Sequence, residues 1–329
     1  MRKITIIKKN IGKKLLAIFA IMATVPLSSA KAQDFSQYFS NNTLRINLIL
    51  GGNAENQSIM IKDLESVPNW YGRKNHLSEL PIEGNAQFEL KDKKTGLTIY
   101  RNSLSTLFQE WLTYPEAKTT MRAFENVILT PMPKDTAILR IDLRNNRREI
   151  VKTLTETIIP SDILIRRANN RHQPYEVLQS AKDSTHCIHI AFIAEGYTEK
   201  EMDKFLADAQ TATDAIFQHE PFKEFKDRFN IIAVKTASED SGTSVPHDGI
   251  WKNTALGSNF DTFYSERYLT TLNLFKTHDL LEGTPYEHII ILVNTDVYGG
   301  GGILNFYNLV STGHKYFKPV IVHEFGHSF

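Results

Sequence analysis

The stretch that decides the fold class is residues 188–218, IHIAFIAEGYTEKEMDKFLADAQTATDAIFQ. Its first seven residues are apolar except for His189, a composition that is typical of a strand buried on both faces. From residue 199 the apolar residues recur at helical spacing, and Thr198 with Glu201 three positions later predicts a capping box at the start of that helix. A buried strand followed by an amphipathic helix predicts an α/β layer architecture for this part of the chain.

The rest of the carboxyl-terminal half continues the alternation of strands and helices. Strands are predicted over residues 229–234, 289–293 and 303–309, a second helix over 261–276, and a third helix at the end of the sequence. Residues 187–329 are therefore predicted to form one α/β domain.

The amino-terminal half has the pattern of an all-β domain. Short alternating segments separated by turn residues predict strands, with a short helix near residues 104–113. These segments are 43–50, 86–90, 97–100, 125–129, 137–143 and 150–159. Strands at this spacing predict a small antiparallel β-sandwich over residues 33–160, followed by a linker over 161–186. The predicted class is α+β with two domains.

The first 32 residues have the composition of a secretion signal. They contain seven Lys and Arg residues and no acid, and an apolar run of thirteen residues, 15–27, follows the basic start. A membrane anchor would need about 20 apolar residues. Ala30-Lys31-Ala32 has the small residues that signal peptidase recognises. Cleavage is expected after Ala32, and the mature protein is expected to be secreted or periplasmic.

Charge and cysteine content exclude several classes of protein. Removing the seven positive charges from a formal net charge of +1 leaves −6 on residues 33–329. A mildly acidic protein has no electrostatic basis for binding nucleic acid or anionic lipid, so neither nucleic acid nor a membrane is expected as a partner after signal removal. Cys187 is the sole cysteine and cannot form an internal disulfide.

The motif that carries chemistry is His-Glu-Phe-Gly-His at residues 323–327. Positions four apart lie on one face of a helix, so the imidazoles of His323 and His327 can reach one metal ion. Glu324 projects beside the open coordination position, where its carboxylate can take a proton from water and return it to the leaving amine. Zinc fits imidazole ligands and hydrolytic chemistry best, so the sequence predicts a zinc site.

The alternative is a chance match, which is expected in on the order of one chain in fifty of this length. Pro319 suits the first turn of a helix. Val322, Phe325 and Phe329 fall at spacings that predict one buried side. A buried helix that presents two histidines and a glutamate on another side is hard to explain structurally, and this favours the metal site.

Two histidines do not complete a catalytic zinc site, which normally has three protein ligands and a water molecule. In the longer pattern His-Glu-x-x-His-x-x-Gly-x-x-His, Ser328 and Phe329 are the two residues after the second histidine. We therefore expect the third ligand beyond Phe329. On this interpretation the sequence is truncated at its carboxyl end, and a chain that stops there is expected to be inactive.

Several segments of the second half match a known family in order and spacing. They are residues 192–198, 238–242, 267–269, 293–295 with 298–302, and 323–329. These segments resemble the IgA-peptidase family of secreted bacterial zinc metallopeptidases, and residues 34–160 resemble its amino-terminal β domain more loosely. The resemblance implies a metzincin-like catalytic domain, with zinc bound by His323 and His327 and with Glu324 as the general base or acid.

Two functions of different classes remain. The first is an exported zinc endopeptidase that hydrolyses peptide bonds in a protein or peptide substrate. The second is an exported binding protein whose β-sandwich recognises a glycan or a protein, with an inactive or subsidiary HExxH domain. The intact motif at residues 323–327 favours the enzyme.

The run of four glycines at 299–302 has two interpretations. No Lys-Ser or Lys-Thr pair follows it, so a phosphate-binding loop is not indicated. It can be a plain turn into the next strand. It can also form the lip of the substrate cleft. In metalloproteases of this architecture, the strand before the metal-binding helix is an edge strand that pairs with extended substrate.

Acidic residues outside the motif have simpler explanations. Glu195 lies at the carboxyl end of a strand, a favoured position for sites in α/β sheets, but turn formation explains it as well. Glu239, Asp240 and Asp248 could bind calcium, although acidic loops are commonly just solvated.

Overall fold

The computed structural model describes residues 34–168 and 172–328. The predicted signal segment, 1–32, lies outside these ranges. Within them, no helix is both long enough and apolar enough to cross a membrane.

The amino-terminal half contains two four-stranded sheets. Their strands are β1 (Phe39–Gly52), β2 (Gln57–Pro68), β3 (Ala86–Asp92), β4 (Thr98–Leu104), β5 (Arg122–Pro133), β6 (Ala137–Arg144), β7 (Ile150–Ile158) and β8 (Arg166–Arg167). The sheet orders are β5-β1-β2-β8 and β4-β3-β6-β7, and every pair is antiparallel except β2 with β8. Two short helices accompany them, α1 (Phe35–Tyr38) and α2 (Leu107–Trp111). Side chains from both sheets belong to one apolar core.

All six strands predicted in this half are confirmed, with longer bounds in most cases, and α2 confirms the predicted short helix. The strand β2 is not predicted from the sequence. Its pairing with β1 shifts by one residue between Asn47 and Leu48, which leaves Lys62 of β2 as an extra residue. A bulge of this kind interrupts the alternation by which a strand is recognised. Glu65 of β2 is also fully buried, where an apolar residue would be expected.

The carboxyl-terminal half contains a six-stranded sheet. Its strands are β9 (Tyr175–Gln179), β10 (Ile188–Glu195), β11 (Phe229–Val234), β12 (His288–Val293), β13 (Gly300–Ile303) and β14 (Tyr307–Ser311). The order is β13-β14-β12-β10-β11-β9, in which the four central strands are parallel and the two edge strands are antiparallel. Its helices are α3 (Met202–Ile216), α4 (Leu274–Leu280) and α5 (Phe317–Gly326).

Alternate residues of the central strands contribute to two different cores. Phe192 and Leu292 pack with residues of α3 and α5. Ile193 and Ile291 belong to the core that also contains the amino-terminal sheets. The sheet is therefore buried on both faces, as the apolar run at 188–194 predicts.

A buried arginine adds a polar link between the two halves. Arg45 of β1 donates hydrogen bonds to Asp279 Oδ1 at 2.6 Å and to the carbonyl oxygen of Phe275 at 2.9 Å, both in α4. Charge-assisted bonds of this kind are stronger than neutral ones. They fix α4 against the first amino-terminal sheet.

The interpretation of residues 161–186 as a linker is wrong for part of that segment. Tyr175–Gln179 forms the edge strand β9, and Arg166–Arg167 adds the short strand β8 to the first amino-terminal sheet. Val177 remains 60% exposed. A short edge strand with exposed apolar residues lacks the buried alternation that would predict it.

The prediction of a helix over 261–276 is also wrong. Only Leu274–Leu280 is an α-helix, and Thr262–Tyr264 is a single 3₁₀ turn. Asp261, Phe263 and Tyr264 have φ values of 61°, 52° and 65°, in the left-handed region that an α-helix excludes. A β-bridge between Asn259 and Thr270 closes this segment into a loop, called here the 259–270 loop.

Candidate metal centre and active site

The helix that carries the motif is α5, and its position follows from its apolar residues. Phe317, Ile321 and Phe325 are buried, and the ring of Phe325 lies 4.7 Å from that of Phe222 between centroids. The predicted buried side was Val322, Phe325 and Phe329. Phe325 confirms it, Val322 is half-buried, and Phe329 lies outside the described residues. The buried side of α5 differs from the predicted one, because it consists of Phe317, Ile321, Glu324 and Phe325.

His323 and His327 lie together on the exposed side of α5. Their Nε2 atoms are 3.3 Å apart, and their ring centroids are 4.9 Å apart. A tetrahedral zinc ion bound about 2.0–2.1 Å from two nitrogens holds those nitrogens about 3.3 Å apart. The predicted pair of ligands is therefore brought together at a spacing that fits one zinc ion.

The described residues offer no larger set of ligands. Within 34–168 and 172–328 there is no group of three His, Cys, Asp or Glu side chains that could hold a metal ion. His323 and His327 thus form a two-residue site in this part of the chain.

Glu324 occupies a more enclosed position than the sequence analysis expected. It is only 9% exposed, and its carboxylate faces β13. A Cβ atom added to Gly300 would lie 2.9 Å from Oε1, and one added to Gly302 would lie 2.8 Å from Oε2. Burial raises the pKa of Glu324, while the charge of His323 acts to lower it.

Gly300, Gly301 and Gly302 belong to the edge strand β13, and Gly299 is the residue before it. The plain-turn interpretation of 299–302 is therefore wrong. The strand predicted over 303–309 is instead a hairpin, in which β13 pairs with β14. On one face of the strand, Gly300 and Gly302 contact Glu324, and Gly302 also contacts His327. The odd glycines, Gly299 and Gly301, contact the rings of Phe260 and Tyr268 on the opposite face. A Cβ atom at any of the four glycines would therefore come within 3.0 Å of a neighbouring atom.

The 259–270 loop covers part of the outer edge of β13. Gly300 pairs with Val310 of β14 and also forms an isolated bridge with Tyr268 of the loop. The hydroxyl of Tyr268 donates a hydrogen bond to Glu110 Oε2 at 2.6 Å. Burial raises the pKa of Glu110. This bond connects α2 of the amino-terminal half to the strand that lies against Glu324.

Glu195 has a structural role. It is fully buried and accepts hydrogen bonds from Thr254 Oγ1 (2.5 Å) and from the backbone N–H groups of Leu256 (2.7 Å) and Ser258 (2.8 Å). Each carboxylate oxygen is thus used to hold the 254–258 segment, so Glu195 is no candidate for the third zinc ligand.

The three acidic residues considered for calcium bind protein groups instead. Glu239 Oε2 accepts from Asn253 Nδ2 at 2.5 Å, and Asp240 Oδ2 accepts from the Asn253 backbone N–H at 2.7 Å. Asp248 lies 3.7 Å from His247. The described residues contain no metal-binding group at this position, so the calcium hypothesis has no support.

Sequence reasoning missed the residues around the motif. It noted the glycines without connecting them to Glu324. It also missed Asn308, a fully buried asparagine in β14 whose side chain contacts α5. A polar residue between apolar neighbours in a buried strand was the available signal for Asn308.

Two family models match the chain. The model described as IgA Peptidase M64 matches residues 176–329, and the one described as Peptidase M64 N-terminus matches residues 34–155. No match was found among the curated proteins. The first matched range contains the histidine pair and Glu324, and the second contains strands β1 to β6 and the start of β7. The chain therefore belongs to the IgA-peptidase family M64.

Proposed function

We propose that this peptidase is a secreted, zinc-dependent endopeptidase that cleaves proteins or peptides. The observation that carries the proposal is the 3.3 Å spacing of the His323 and His327 Nε2 atoms beside the enclosed carboxylate of Glu324. Two imidazoles at a zinc spacing next to one carboxylate are the elements that metal-assisted peptide hydrolysis requires.

Each residue of the motif has a separate task. His323 and His327 hold the zinc ion through Nε2, with a third ligand from outside the described residues. When bound, zinc supplies a Lewis acid that polarises the peptide carbonyl and makes water more acidic. Glu324 accepts a proton from the attacking water and delivers it to the nitrogen of the leaving amine.

The surroundings of Glu324 suit proton transfer. Its carboxylate is confined between α5 and the backbone of β13, so it has little freedom to move. A fixed carboxylate needs little reorganisation when it takes a proton. The glycines allow this confinement, because any side chain there would occupy the space of the carboxylate.

The edge strand β13 is the proposed binding site for the substrate backbone. An extended peptide can add to a sheet edge through main-chain hydrogen bonds. Tyr268 already bridges Gly300, so the available part of the edge lies around Gly302, next to His327. We also propose that the two amino-terminal sheets form a β-sandwich. The catalytic domain that contains β13 is proposed to have a metzincin-like fold.

The route of export is part of the proposal. Residues 1–32 are proposed to be a signal peptide that is cleaved after Ala32. The mature enzyme would then act in the periplasm or outside the cell.

Zinc content and proteolysis of the full-length mature protein test this function. We expect a single tightly bound zinc ion and casein cleavage that a chelator abolishes and added zinc restores. His323→Ala and His327→Ala should lose both zinc and activity. His186→Ala is the control, because that exposed histidine contacts Asp183 instead of the motif. Casein cleavage that is unaffected by the chelator would contradict the proposal.

A further inference from the structure

Asn308 of β14 links the central sheet to the turn that carries His327. Its side chain is completely buried, and the residues beside it in the strand, Tyr307 and Leu309, are buried hydrophobic residues. Asn308 Nδ2 donates to the carbonyl oxygen of Glu324 at 2.7 Å and to Ser328 Oγ at 2.8 Å. One amide hydrogen is therefore bonded to a residue that precedes His327 in the sequence, and the other is bonded to the residue that follows it.

Within the part of the chain that the structure describes, the asparagine at this position leaves one buried polar atom unsatisfied. Asn308 Oδ1 is buried and has no hydrogen-bond partner among the described residues. A buried acceptor without a partner loses its hydration and gains nothing in return. A leucine has the same branched shape, with larger methyl groups, and would not carry this loss. The role of the amide donor must therefore explain why a polar residue is found here.

The contact with Glu324 satisfies a carbonyl group at the carboxyl end of α5. The last carbonyl groups of a helix have no partner within the helix. Here the Glu324 carbonyl accepts from the His327 backbone N–H at 3.0 Å, which tightens the turn, and from Asn308. The amide thus holds this tightened turn against the sheet.

The same turn sets the direction of the His327 ring. Gly302 is the partner of Asn308 in the pairing of β13 with β14. A Cβ atom at Gly302 would lie 2.9 Å from Cδ2 of His327, so the ring packs on the Gly302 backbone. Asn308 and Gly302 therefore fix the turn and the ring from two adjacent strands.

We propose that Asn308 is a positioning residue for the second zinc ligand. It touches neither the metal nor the substrate. By holding the Glu324 carbonyl and Ser328, it keeps His327 Nε2 at zinc spacing from His323 Nε2. This inference rests on the proposed zinc function, and it assigns the rigidity of the ligand pair to a residue outside the motif.

Zinc affinity measured by competition with a chromophoric chelator tests the inference. In the full-length mature protein, Asn308→Leu is expected to bind zinc about 10- to 100-fold more weakly, the usual effect of losing a group that orients a ligand. Asn308→Asp keeps the volume but replaces the donor with an acceptor, so it should show the same loss. Circular dichroism and urea unfolding establish that each variant is folded at the temperature of the measurement.

Ser311→Ala is the matched control. Ser311 lies in the same strand, is buried, and its hydroxyl has no partner among the described residues. Its removal should leave zinc affinity unchanged. A folded Asn308→Leu protein with wild-type zinc affinity would overturn the inference, whereas a wild-type protein that binds no zinc would instead refute the proposed function.

A measurement on the wild-type protein covers the case in which the Asn308 variants do not fold. Both side-chain amide hydrogens of Asn308 should exchange slowly with deuterium in nuclear magnetic resonance spectra, because both are buried and bonded. Fast exchange would show that the amide does not hold the turn, and the inference would fail.

Discussion

The backbone of Gly302 lies directly against the carboxylate of Glu324. A Cβ atom at Gly302 would approach Glu324 Oε2 to 2.8 Å and His327 Cδ2 to 2.9 Å. Gly302→Ala must therefore displace both side chains, and we expect kcat/KM for casein to fall by about 10²-fold, together with weaker zinc binding.

Gly300→Ala separates the two effects. Its Cβ atom would meet Glu324 Oε1 at 2.9 Å and Val320 Cγ1 at 3.2 Å, and its three nearest atoms include none of His327. It should therefore lower activity while zinc affinity is retained. Gly51→Ala is the control, since Gly51 also lies in a strand and its nearest neighbour would be 3.5 Å from the added Cβ. Wild-type activity in Gly302→Ala would show that the glycines do not make room for a Glu324 carboxylate that activity requires.

Glu195→Gln should destabilise the fold without affecting the zinc site. The amide that replaces one carboxylate oxygen cannot accept a hydrogen bond, so at least one of the three buried donors that bind Glu195 loses its partner. We expect the free energy of unfolding in urea to fall by about 3 kcal/mol, with zinc stoichiometry unchanged. The exposed residue Glu199 provides the control variant, Glu199→Gln. Loss of zinc from a folded Glu195→Gln protein would refute this structural role.

Glu287, at the start of the strand that contains His288, should make stability depend on pH. Burial raises the pKa of Glu287 from 4.5 to about 7, against the opposing effects of the His189 backbone N–H and of Arg73. Between these two values the folded protein binds the extra proton, so stability should fall as the pH rises from 4.5 to 7.

Glu287→Gln removes this dependence. Relative to wild type, its free energy of unfolding should increase by ~2 kcal/mol between pH 5 and pH 8. Urea unfolding of both proteins at several pH values measures the change. A difference between the two proteins that is the same at every pH would contradict the assigned pKa.

Regular apolar patterns made most of the fold predictable from the sequence. The run at 188–194 predicted the buried strand β10, and the Thr198–Glu201 capping box forms as predicted at the start of the next helix. The errors occur where tertiary contacts override local pattern. The 259–270 loop contains residues in the left-handed region, and β2 contains a bulge; neither can be read from spacing alone.

The histidine pair was predictable because it depends only on the geometry of one helix. The enclosure of Glu324 was not, because it requires knowing which strand of the sheet lies beside α5. The role of Asn308 depends in the same way on a contact between residues sixteen positions apart in the sequence. Sequence spacing therefore predicted that the two histidines lie together, and packing determined the surroundings of Glu324.

The measurement that tests the central claim most directly compares wild type with Glu324→Gln in the full-length mature protein at equal zinc content. Glutamine keeps the shape of the side chain but cannot take a proton from water. We expect zinc stoichiometry and folding to be retained while kcat for peptide cleavage falls by about 10²- to 10⁴-fold. Comparable cleavage rates for the two proteins, at matched zinc content, would contradict the assignment of Glu324 as the group that accepts the proton.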